Sequence, residues 1–180
     1  MKQKDASGLV WMDLEMTGLD PEKDCILEVA VIATDWQLKE LGRLKAVIKV
    51  PEAILAKRMV GEFWEKNAAS CEALKKQNQL GEGESIVEKK LLDFIQKFFQ
   101  DETVYLAGNS IHQDRRFISR AWPKLDRRLH YRMLDVSAWK IYFEHALGVH
   151  FVKPEVHRAL DDIKGSIAEL KFYREKLKQA

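Results

Sequence analysis

The sequence predicts an α/β fold: a mixed five-stranded sheet, three antiparallel strands and then two parallel ones, covered by helices. Three observations carry this expectation. Apolar, β-branched-rich runs at residues 9–14, 25–34 and 44–50 are joined by short connections, which favours antiparallel neighbours. Two later runs, 103–108 and 131–136, alternate with helical patterns, as in sheets whose strands run parallel. An amphipathic pattern over 85–100, with Ile86, Leu91, Leu92, Phe94, Ile95, Phe98 and Phe99, and another from about residue 159 supply covering helices.

Taken in order, the first strand is Leu9-Val10-Trp11-Met12-Asp13-Leu14-Glu15-Met16, with a turn at Gly18 and Asp20-Pro21. Alternation puts Asp13 and Glu15 on one face and Met12, Leu14 and Met16 on the other. Two acids aimed at one place suit a hard divalent cation. A solvated strand end is the other reading, because Asp20/Glu22 and Glu82/Glu84 show the same spacing with no strand behind them. Pro51 stops the sheet, and residues 52–78 read as two helical segments. Ser85 and Glu88 fit a capping box for the next helix. The strand at 103–108 ends at Gly108-Asn109-Ser110 and leads into a helix carrying Asp114 that Pro123 terminates. A helix through Trp139, Ile141, Tyr142 and Leu147 follows the fifth strand, 148–155 is a loop, and Ile163, Ile167, Leu170 and Tyr173 line the last helix.

The bulk numbers narrow the class. A chain of 180 residues, 46% hydrophobic and 32% charged, with no Pro/Gly/Ser-rich linker, is expected to form one domain over 1–180. No apolar run is long enough to span a bilayer, and residues 1–8 lack a signal peptide's apolar core, so no membrane partner is expected. Cys25 and Cys71 have neither metal nor redox spacing, which points to a reduced, cytoplasmic setting. A net charge of +2 is too small for tight nonspecific duplex binding. The basic run Arg115, Arg116, Arg120, Lys124, Arg127, Arg128 and Arg132 can attract phosphate, face solvent or meet a second subunit.

Asp13-x-Glu15 on a strand, Asp114 after the fourth strand, and His157-x-x-x-x-Asp162 near the end together resemble the DEDDh family of 3′-to-5′ exonucleases. Within it the chain is similar to the oligoribonucleases over nearly its whole length. The matching stretches are Asp13 to Pro21, Gly108-Asn109-Ser110 with Gln113 to Phe117, His130 to Ser137, and His157 with Asp161-Asp162-Ile163. The resemblance implies a ribonuclease H-like fold and a homodimer that cuts nucleoside 5′-monophosphates from very short single-stranded RNA, dinucleotides included. It implies Asp13, Glu15, Asp114 and Asp162 as ligands of two divalent ions, Mg²⁺ or Mn²⁺, and His157 as the general base. The chemistry is consistent: paired ions about 4 Å apart activate the attacking water and stabilise the leaving oxygen, and an unperturbed histidine pKa of about 6.5 suits proton transfer near neutrality. Asp161 competes with Asp162; the family pattern selects Asp162 and leaves Asp161 to the helix dipole.

The same resemblance implies Leu19 as a wedge between bases and Trp64 as a stacking platform, against a turn residue and a core ring. Ser110, Arg132 and Ser137 resemble a grip on the substrate's 5′ phosphate, with His130 and Tyr131 supplied by the partner subunit. The chain departs from the family at Ser70-Cys71-Glu72, where Ser-Gly-Leu is usual, and around 149–155.

Overall fold

In the computed structural model, which describes residues 7–152 and 158–179, the sheet is built outward from its middle strand. β1 (Gly8–Met16) lies between β2 (Ile26–Asp35) and β4 (Val104–Gly108), with β3 (Glu40–Val47) and β5 (Leu129–Asp135) at the edges. β1, β2 and β3 pair antiparallel, β4 runs parallel to β1, and β5 runs parallel to β4. This is the mixed sheet expected from the connection lengths.

The helices are α1 (Glu52–Arg58), α2 (Glu62–Lys66), α3 (Ala68–Asn78), α4 (Glu84–Phe99), α5 (His112–Ala121), α6 (Pro123–Asp126), α7 (Val136–Leu147) and α8 (Ala159–Gln179). Alternation along β1 sorts them into two layers. Val10, Met12 and Leu14 pack with residues of α1 to α6, whereas Leu9 and Trp11 pack with Val136 and Phe143 of α7 and Ile163, Ile167, Leu170 and Tyr173 of α8. Each fully buried aliphatic or aromatic side chain contributes about 1.5–3 kcal/mol, so both faces of β1 are strongly held. Asp13 and Glu15 continue the Leu9/Trp11 face, which places them toward α8.

Several local expectations needed correction. The third strand begins at Glu40 rather than near residue 44, because a turn with Leu38 at φ 65° starts the β2–β3 pairing at once. Its edge position leaves polar residues exposed and hides the alternation. Residues 52–78 form three helices, with Gly61 at φ 95° breaking the first from the second. The capping box at Ser85 and Glu88 does not form. α4 starts after Gly83 without a side-chain cap, and buried Glu88 instead accepts from the backbone N–H groups of Lys124 and Leu125 at the start of α6.

Candidate active site

Three of the four expected acids meet directly. Carboxylate oxygens of Asp13, Glu15 and Asp162 all lie within 4.8 Å of one another. β1 delivers the first two from one face, and the first turn of α8 delivers the third from the helix packed over that face. Asp114 arrives from the side. β4 pairs with β1 only from Leu9 to Trp11, and beyond that point Asp114 Oδ1, on the first turn of α5, accepts the Leu14 backbone N–H at 2.9 Å. The carboxylate thus completes β1's hydrogen bonding between the two strand acids. It does not belong to the group of three whose ligand atoms converge.

The electrostatics follow from burial first and crowding second. Burial, the nearby charges of Glu28 and Asp162, and more weakly Asp114 push the Glu15 carboxyl up from 4.5 to about 8. Asp114, buried, is pushed up to about 7, with the Leu14 N–H pulling the other way. Such a set of hard oxygen donors fits a divalent cation, which would relieve the repulsion that the protons otherwise relieve. Asp161 points elsewhere: it is exposed, pairs with Lys164 at 2.9 Å, and is held below the usual range by that ammonium. Asp162 Oδ2 accepts the Arg158 backbone N–H at 3.0 Å and so fastens the start of α8. His157 lies outside the described residues.

A cavity of about 810 Å³ adjoins the acids, bounded by Glu15, Leu19, Lys57, Val60, Phe63 and Trp64 among others. Leu19 is 66% exposed at its mouth. The turn bearing it is organised by buried Asp24, whose carboxylate accepts the Thr17 hydroxyl, the Asp20 N–H and the Arg58 guanidinium. Gly18 is required there, since a Cβ would sit 2.5 Å from an Asp24 oxygen. Trp64 is buried, its indole N–H donating to Thr17 O at 3.3 Å, while the neighbouring Phe63 ring, 5.1 Å away and edge-on, is 56% exposed. Trp64 therefore lines the cavity wall, and Phe63 is the more exposed ring beside it.

The residues of the expected phosphate grip are brought together in part. Asp135 Oδ1 accepts the N–H groups of Ser110 and Ser137, and the two hydroxyls lie 3.2 Å apart. Those bonds fix Ser110 at a left-handed φ of 49°. Arg132 stands over the Tyr131 ring at 5.0 Å, and His130 stacks on Tyr131 at 4.5 Å and accepts the Arg132 N–H. Tyr131, 72% exposed, faces out from the edge strand.

A buried carboxylate beside the clustered acids was missed in the sequence reading. Glu28 sits directly opposite Glu15 in the β1–β2 register and is fully buried. Lys45 Nζ lies 3.0 Å from it, and Arg158 and Gln77 bind its other oxygen. The signal was present: Glu28 is the single charge inside the apolar run from Ile26 to Thr34.

Fold and acid cluster together define a nuclease, and comparison with known proteins agrees. Residues 10–170 match the exonuclease family model. The chain is 40% identical over 174 residues to an oligoribonuclease of Francisella tularensis, covering 96% of this chain and 97% of that one. It is 41% identical over 179 residues to an oligoribonuclease of Chromobacterium violaceum, covering 96% of each. This chain belongs to the oligoribonucleases of the DEDDh exonuclease family. Among solved structures, exonuclease I of Methylocaldum szegediense superposes with a TM-score of 0.66 at 16% identity, and a zinc-bound E. coli exonuclease I–single-stranded DNA complex with 0.66 at 15%. At that identity the likeness is one of fold, ribonuclease H-like, and the chain spans only 40% and 41% of those proteins.

Proposed function

We propose that this chain acts as a single-domain 3′-to-5′ exoribonuclease on very short RNAs, dinucleotides included, in the cytoplasm. The observation that carries the reading is the convergence of Asp13, Glu15 and Asp162, with Asp114 anchored between the strand acids. Water attacks the last phosphodiester phosphorus, the bond to the 3′ oxygen breaks, and that oxygen leaves with a proton. The products are a nucleoside 5′-monophosphate and a chain one residue shorter. His157 accepts the water's proton. Two Mg²⁺ or Mn²⁺ ions held by Asp13, Glu15, Asp114 and Asp162 would supply charge neutralisation and water activation.

Leu19 and the aromatic wall beside it part and stack the terminal bases, each stacked base being worth roughly 1–3 kcal/mol. Ser110, Ser137 and Arg132 grip the 5′ phosphate through hydroxyls and a guanidinium fork. His130 and Tyr131 act on the substrate held by the other subunit of a homodimer. The exposed Tyr131, with Ile141 and Tyr142 of α7 also more than half exposed, supports a covered face there.

The test is an RNA length series with Mn²⁺, read as mononucleotide released, together with the protein's mass in solution. The dinucleotide is expected to be cut fastest by a dimer. Equal rates on long and two-residue RNA would point to another DEDDh exonuclease, and no mononucleotide at any length would leave only RNA binding.

A further inference from the structure

The start of α8 is held by a device that lies outside the four expected acids. The Arg158 guanidinium reaches across to Glu28 on β2 at 3.3 Å and to Gln77 Oε1 on α3 at 3.0 Å. Gln77 Nε2 in turn donates to the same Glu28 oxygen, Oε2, so three side chains close a ring. Arg158's backbone serves the helix at the same time. Its N–H donates to Asp162 Oδ2, and its carbonyl accepts the N–H groups of Asp161 and Asp162 at 2.9 and 3.0 Å.

One residue therefore joins three things: the helix turn bearing Asp162, the strand register that sets Glu15 opposite Glu28, and α3, which follows the Trp64 segment. Both guanidinium bonds leave from Nη2, so one end of a planar, charged group ties β2 and α3 to the start of α8. We propose that Arg158 is a positioning residue for the cation-binding acids: through Glu28 and Gln77 it fixes where Asp162 stands relative to Asp13 and Glu15. This rests on the proposed reading of those acids as ligands. Arg158 itself touches neither substrate nor ion in this role.

The alternative is that Arg158 merely neutralises a buried Glu28. Two variants separate the two roles. Arg158→Met strands the Glu28 carboxylate with Lys45 as its remaining cation in the described structure, and the protein should melt earlier. Glu28→Gln/Arg158→Met removes both charges and should restore most of the lost melting temperature.

Mn²⁺ affinity is then read from ion-dependent thermal unfolding without RNA, and kcat and KM from dinucleotide hydrolysis. The double variant is expected to bind Mn²⁺ about tenfold more weakly and to lose about tenfold in kcat, with KM changed by less than about threefold. Recovery of Mn²⁺ affinity and kcat along with stability would overturn the inference and leave Arg158 a countercharge. So would an Arg158→Met enzyme within about twofold of wild type in both. If the wild-type protein shows no Mn²⁺-dependent shift, the reading of the acids as ligands fails and the inference with it.

Discussion

Raising the pH should weaken the cation-free protein and strengthen its response to Mn²⁺. The oxygens of Asp13, Glu15 and Asp162 lie within 4.8 Å of one another, where two full charges repel by about 3 to 4 kcal/mol at an effective dielectric near 20. Burial first, and for Glu15 also the charges of Glu28 and Asp162, keeps protons on Glu15 up to about pH 8 and on Asp114 up to about 7. Both carboxyls are raised above their unfolded values. The stabilisation from the retained protons is therefore complete below about pH 4 and lost as pH rises through 7 and 8. Each group can contribute a slope of about 1 kcal/mol per pH unit, or roughly 2 to 4 °C in Tm for a chain of this size. A cation displaces those protons, so its apparent affinity should climb by up to about tenfold per pH unit for each one, about a hundredfold per unit below pH 7 and about tenfold from there until Glu15 is ionised. At a hundredfold excess over Kd, binding adds about 3 kcal/mol. Thermal unfolding from about pH 5 to 8, with chelator and then with Mn²⁺, measures both trends. An Mn²⁺ shift as large at pH 5 as at pH 8 would refute proton displacement at these carboxyls. An unchanged pH slope of the chelated protein in Glu15→Gln, which removes the crowded charge, would refute it equally.

Asp114→Asn keeps an oxygen for the Leu14 N–H and should fold normally but turn over no RNA, whereas Asp114→Ala should lose a further 1–3 kcal/mol or so of stability by orphaning that donor; denaturant unfolding distinguishes them. His157→Ala should cut kcat by about 10²–10⁴ and leave the Mn²⁺-induced Tm shift intact, and a loss of the shift would assign His157 to cation binding instead. Arg132→Ala should weaken a 5′-phosphorylated dinucleotide far more than its unphosphorylated twin in a binding titration; equal losses would remove Arg132 from the phosphate grip.

Much of this was legible because β1 obeys a period of two. Alternation alone fixed which face Asp13 and Glu15 share, and the five strands emerged from apolar runs and connection lengths. The third strand was misplaced because its edge position frees it from needing a regular apolar face. Glu88 was misassigned for a different reason: its partner is the start of α6, 36 residues away, and no local pattern reports a cap supplied by another helix. The Glu28–Arg158–Gln77 ring is non-local in the same sense, joining residues 130 and 81 positions apart. Only Glu28 announced itself, as a charge in an apolar strand. Residue type left Trp64 open between a stacking platform and a core ring, and only packing shows it buried beside the more open Phe63.

The turn that Asp24 ties to Arg58 has a consequence for binding. A projecting leucine on a slack loop would have to be immobilised each time a ligand arrived, at about 1–2 kcal/mol for every residue stilled. Here a hydroxyl, an amide and a guanidinium share one carboxylate and tie down the backbone around Leu19 from within the fold. For the very short RNA substrate proposed above, which brings little surface of its own, a turn held this way removes a loop-ordering cost from binding.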